Sequence, residues 1–134
     1  MMIQDIYKRI HNLPIYEKRS VTDSFIEIVF FNKDIQEWNN LLHEFLGEPL
    51  KEAAGKLTNQ MKELTEEYGG IGQGQTLFKK KLEEGIILAM LWPWGNGNHT
   101  TLKVFTLKEK PGSQNVNRSF SFIDWFKNLV IRKG

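Results

Sequence analysis

Three groups of residues in this sequence have side chains that could do chemistry: the histidines, the carboxylates, and the rings and ammonium groups around LWPWGNGNHTT at Leu91–Thr101. The three histidines, His11, His43 and His99, fall in no metal-binding spacing, and His43-Glu44 lacks a second histidine one helical turn along. With no cysteine, the chain has no thiol nucleophile, thiolate zinc ligand or disulfide. Asp23 and Glu27 lie on one side of an extended segment. Glu27, flanked there by Phe25 and Val29, is read as the partner of a lysine on a neighbouring strand, with an acid–base role as the alternative. Ser119 and Ser121 sit beside no base and in no nucleophile elbow. No catalytic residue, metal or cofactor is expected.

The segment GGIGQGQ at 69–75 has the glycine content of a phosphate loop but the wrong order. Phosphate loops run from strand to glycines to helix, which turns a helix N-terminus toward the anion. Here a helical stripe precedes the glycines and a strand follows, so the carboxyl end of the helix would face an anion and repel it. The segment reads as a connection that could serve as a lid.

Asn96-Gly97 is the strongest short hairpin signal in the chain. A two-residue turn there pairs Trp94 with His99, Trp92 with Thr101, Met90 with Lys103 and Leu88 with Phe105 on one face. Leu91 then pairs with Leu102, Ala89 with Val104 and Ile87 with Thr106 on the other. A preceding turn at Glu84-Gly85 adds Phe78 and Leu82 to the aliphatic face. It adds Leu77, Lys79 and Lys81 to the mixed one, while Lys80 points the other way. The candidate binding set is therefore Trp92, Trp94, His99, Lys103, Lys79 and Lys81. Lys103 lies diagonal to Trp92, within cation–π reach. Trp92 calls for a cover, from a helix of the same chain, a second copy or a ligand. Trp94, beyond Pro93, is expected to be the more exposed ring.

The elements that position this hairpin follow from periodicity. Ile3, Ile6, Tyr7 and Ile10 make a short helix that ends before Pro14. Val21–Phe31 reads as one strand with apolar residues on both faces. Ile35, Trp38, Leu41, Leu42 and Phe45 stripe a helix that starts near Asn32 or Asp34 and stops at Gly47. Leu50, Ala54, Leu57, Met61, Leu64 and Tyr68 stripe a second, starting at Pro49 and ending at Gly69-Gly70. Strands are expected over Thr76–Leu82, Ile86–Trp92 and His99–Leu107. A last helix, capped by Ser119, carries Phe122, Ile123, Phe126, Leu129 and Val130. The expected fold is one α+β domain over 1–134, a largely antiparallel four-stranded sheet in the order α-β-α-α-β-β-β-α.

The 134 residues are 40% hydrophobic and 25% charged, which suits a globular domain. The first residues lack the apolar core of a signal peptide. The longest apolar run, Ile86–Trp94, has nine residues, too few to span a membrane, so a cytoplasmic location without membrane contact is expected. The net charge of +2 is split: residues 32–68 carry four lysines against eight acids, and residues 69–134 carry ten basic residues against four acids. Such a split is read as lysines that solubilise strand edges, with self-association or an oriented partner as the alternative. The first functional expectation is a non-enzymatic binding domain, a homodimer or partner of another protein, acting through the mixed sheet face. The alternatives are a single-stranded nucleic-acid or acidic-ligand binder on that face, and a small enzyme with a pocket under the 69–75 loop.

Overall fold

The computed structural model describes residues 3–83 and 85–108. Helix α1 (Ile3–Ile10) buries Ile6 and Ile10, and α2 (Ile35–Leu46) buries Trp38, Leu41, Leu42 and Leu46, so both stripes face one core as their spacing requires. A single 3-10 turn (Asn32–Asp34) leads into α2. Gly47 ends it with φ +82° and donates its N–H to the His43 carbonyl at 2.9 Å.

Among the described residues the sheet has five strands, not the expected four. Val21–Phe31 is not one strand: β1 (Glu17–Val21) and β2 (Phe25–Phe31) form an antiparallel hairpin. Thr22 makes the break, since its Oγ1 accepts the N–H groups of Phe25 at 3.0 Å and Ser24 at 3.3 Å. The remaining strands are β3 (Thr76–Leu82), β4 (Gly85–Pro93) and β5 (His99–Lys108). All neighbours are antiparallel, in the order β1-β2-β5-β4-β3, so the α+β class stands. Among the described residues the element order is α-β-β-α-α-β-β-β. The expected helix from Ser119 lies outside them.

The expected long helix over Leu50–Tyr68 is also corrected. Only Asn59–Thr65 (α3) is α-helical, followed by a 3-10 turn at Glu66–Tyr68. Thr58 caps it, its Oγ1 accepting the Met61 N–H at 3.1 Å. Upstream, the backbone of Lys51 pairs with Leu77 of β3, which leaves Leu50 exposed and Lys51 buried. The Lys51 ammonium donates to the carbonyls of Gln75 at 2.7 Å, Glu52 at 3.0 Å and Ala53 at 3.2 Å. Three acceptors satisfy its three N–H groups, while burial pushes its pKa down.

The sheet is covered on both faces. Over the first face, α1 and α2 pack on Ile26, Ile28, Phe30, Ile87, Ala89 and Leu102, and Phe30 stacks on Trp38 with centroids 4.8 Å apart. Over the second, Leu57, Met61, Leu64, Tyr68 and Ile71 roof Leu77, Leu88, Met90, Phe105 and Leu107. Leu82 pairs directly with Gly85, which places Gly85 in the strand and leaves every face assignment unchanged. No helix among the described residues is long and apolar enough to cross a membrane.

Replacing Lys51 by Met should keep the far-ultraviolet spectrum but lower stability in urea unfolding by about 1–3 kcal/mol, because three carbonyls lose their shared donor.

Candidate functional site

The β4–β5 connection sets the site. Trp94 donates its N–H to the His99 carbonyl at 2.9 Å, and Gly97, at φ +76°, donates to the Trp94 carbonyl at 3.2 Å. Asn96 shapes the turn from inside: its Oδ1 accepts the N–H groups of Asn98 at 2.8 Å and His99 at 3.3 Å. The connection is wider than a two-residue turn, but its residue count keeps the same parity. Trp92 therefore pairs with Thr101, Met90 with Lys103 and Leu88 with Phe105, as the sequence requires. Asn32 pins the tip to the rest of the fold. It donates from its backbone to the Asn98 carbonyl at 2.8 Å and from Nδ2 to the Gly97 carbonyl at 2.9 Å.

The six candidate residues lie in three separate places. Trp92 and Lys103 are together beneath the chain's own cover. Lys103 Nζ stands 3.7 Å from the Trp92 ring centroid and donates to the Tyr68 carbonyl at 3.0 Å. Burial lowers its pKa; Glu27, opposite it on β2, raises it, and Arg19 lowers it. Glu27 thus faces a lysine of the adjacent strand. Tyr68 stacks on Phe105 at 4.0 Å and on Phe25 at 5.0 Å, and burial, then Glu67, pushes its hydroxyl pKa up.

Trp94 and His99 form the second group, at the tip. Trp94, like Trp92, is half-buried: its Nε1 donates to Thr101 Oγ1 at 2.8 Å, and its ring lies 4.7 Å from that of His99. Lys79 and Lys81 are the third group. They lie exposed on edge strand β3, opposite Leu88 and Ile86. At a rise of about 3.3 Å per residue they are roughly 20 Å or more from Trp94.

The tip cluster contains residues that the sequence did not mark. Tyr16 and Phe31 each touch His99, at 4.5 and 5.1 Å, and each other at 5.0 Å. They are 49% and 37% exposed. A register shift between Lys18 and Ser20 marks a bulge at Arg19, whose guanidinium sits 5.5 Å over Trp94, 3.3 Å from Glu17 and 3.6 Å from Glu27. Lys33 lies 5.8 Å over Phe31. The pairing of Phe31 with His99 could have been read once β2 was placed beside β5. Tyr16 and Arg19 depended on β1, which has no apolar alternation.

A groove of about 500 Å³ runs beside the tip, lined by Arg19, Gln75, Trp92, Trp94, Asn96 and Thr101 among others. Several of its polar groups are engaged within the chain: Arg19 with Glu17 and Glu27, Asn96 in its turn, Thr101 with Trp94, and Gln75 Oε1 with the Gly72 N–H at 2.7 Å, whereas the buried Nε1 of Trp92 has no hydrogen-bond partner. The glycine-rich loop is similarly closed. Gly70 donates to the Thr65 carbonyl at 2.9 Å, Ile71 to Thr65 Oγ1 at 2.8 Å and Gly74 to the Ala53 carbonyl at 3.1 Å. Ile71 and Tyr68 fill the space between this segment and the sheet. In comparison with known proteins, no family model, no curated protein and no solved structure matches the chain.

Gly69 closes the cover over Trp92. A Cβ there would stand 2.4 Å from Trp92 Cη2, on a backbone already at φ +107°. At Gly70, with φ +78°, a Cβ would meet open space. Gly70→Ala should therefore cost only the left-handed backbone term of about 1–2 kcal/mol. Gly69→Ala should cost more and shift the Trp92 fluorescence. Equal losses in denaturant unfolding would mean that the ring has room to move.

Proposed function

We propose that the protein is a non-enzymatic binding module that associates with a second copy of itself through the rings of Tyr16, Phe31, Trp94 and His99. The supporting observation is exposure: Tyr16 and Phe31 are open to solvent, contiguous, and both in contact with one imidazole. A large apolar side chain left in water forgoes about 1.5–3 kcal/mol relative to burial. Contact by ring surface also fits the adjoining groove, where Arg19, Gln75, Asn96 and Thr101 already bond within the chain. Charge is nearly balanced around the cluster, since Arg19 faces both Glu17 and Glu27. Two copies can therefore approach about a two-fold axis without like-charge repulsion.

In sedimentation velocity the wild-type chain should form a dimer at tens of micromolar. The double substitution Tyr16→Ser, Phe31→Ser should shift it to monomer without changing the far-ultraviolet spectrum. A wild-type chain that stays monomeric at hundreds of micromolar removes the reading.

A second reading is favoured by the cations set over rings, Arg19 over Trp94 and Lys33 over Phe31. Stacking rings beside cations suit a single-stranded nucleic acid or an acidic ligand. On this reading a single-stranded oligonucleotide binds at low salt and is released as salt rises. Absence of binding at low salt ends it.

A further inference from the structure

The central ring of the tip cluster, His99, is also its titratable member. Asn96 decides which of its nitrogens carries hydrogen. Because Asn96 Oδ1 already accepts the backbone N–H groups of Asn98 and His99, the carboxamide has one orientation. Its Nδ2 is then the atom 3.0 Å from His99 Nδ1, and an amide NH₂ only donates. Nδ1 must carry a lone pair, so the imidazole in this arrangement is neutral with its hydrogen on Nε2.

An imidazolium has a hydrogen on each nitrogen. Protonation at Nδ1 would set two donors against each other across that short contact. Either the ring leaves Asn96, or the carboxamide turns and releases the two N–H groups that shape the hairpin tip. The surrounding charges do not relieve the conflict. From β1, Arg19 lies over Trp94 with Glu17 and, from β2, Glu27 tied to it, and Tyr16, just before β1, contributes a neutral phenol. From the 3-10 turn, Lys33 lies over Phe31 and adds a like charge at the rim. The ring faces of Trp94, Tyr16 and Phe31 attract a cation, but they do not supply the acceptor that Nδ1–H would need.

We infer that His99 is a proton-operated latch on the β4–β5 tip. Neutral, it accepts from Asn96 and holds the ring cluster closed. Protonated, it loses that bond, the tip opens, and self-association weakens. The effect on association rests on the docking surface proposed above; the tautomer and the turn do not.

Nitrogen-15 NMR of the full chain tests the latch directly. At alkaline pH, His99 Nδ1 should give an unprotonated signal and Nε2 a protonated one. On acidification the Asn96 and Asn98 amides and the Trp94 indole should shift with the same midpoint as the ring. The substitution Asn96→Asp keeps an acceptor for both backbone N–H groups and adds one for Nδ1–H. In that variant the ring should hold its proton to a pH about one unit or more higher, a tenfold gain in proton affinity. A hydrogen on Nδ1 at alkaline pH, or equal midpoints in the variant and wild type, overturns the latch. Sedimentation at the two ends of the titration reads the coupling: dimer at alkaline and monomer at acid pH supports it, and dimer at both ends overturns it. A monomer throughout, with the NMR pattern intact, overturns the docking surface and leaves the latch standing.

Discussion

Every contact at the site depends on an even number of residues lying between Trp94 and His99. Strand β5 is bonded on both sides, to β4 and to β2, so its register carries the parity of one turn across the sheet. One residue more or fewer would set Trp92 and Lys103 on opposite faces of the sheet and separate Leu91 from Leu102 in the same way. Asn96 maintains the count by accepting two backbone N–H groups inside the turn, and Asn32 holds it from outside through Gly97 and Asn98. The tip is thus built from side-chain amides, and those amides also set the hydrogen-bonding state of His99.

This dependence explains what the sequence reveals. The faces of β4 and β5 are legible because an Asn-Gly pair sits between two apolar runs, where a slip would expose a whole core face. Helix α2 is legible because its stripe is long and Gly47 closes it. Strand β1 is not: three of the five residues of EKRSV are charged, and an edge strand in solvent needs no apolar alternation. Without β1, neither the ring of Tyr16 nor the guanidinium of Arg19 can be placed beside Trp94. The 50–58 stretch misleads for the opposite reason. Leu50, Ala54 and Leu57 keep helical spacing, while the fold buries Lys51 and leaves Leu50 outside.

Two lysines compensate for that missing helix. Lys51 binds the carbonyls of Glu52, Ala53 and Gln75, which ties both ends of the cover to one ammonium. Lys103 binds the Tyr68 carbonyl, at the carboxyl end of the 3-10 turn, where a cation is favoured by the exposed carbonyl dipoles. In both, burial lowers the pKa, so each charge is held against a desolvation cost by oxygen atoms and, for Lys103, by Glu27 and the Trp92 ring. The cover over the second face is fastened to the sheet by these ammonium–carbonyl bonds in addition to the packing of Met61, Leu64 and Tyr68.

The extent of that cover decides the fates of the two tryptophans that flank Pro93. Both side chains point to the same face, two positions apart. Trp92 falls under Gly69, the one residue type thin enough to lie against its ring, with Lys103 beside it. Trp94 falls beyond the cover, so it takes its contacts from the sheet itself: Thr101 below, Arg19 above and His99 across the turn. One ring completes a core and the other begins a rim. Tyr16 and Phe31 continue that rim outward, and among the described residues the cover, anchored at Lys51 and Lys103 further along the sheet, leaves them exposed. The exposed aromatic surface at the tip therefore follows from where those two ammonium groups fasten the roof.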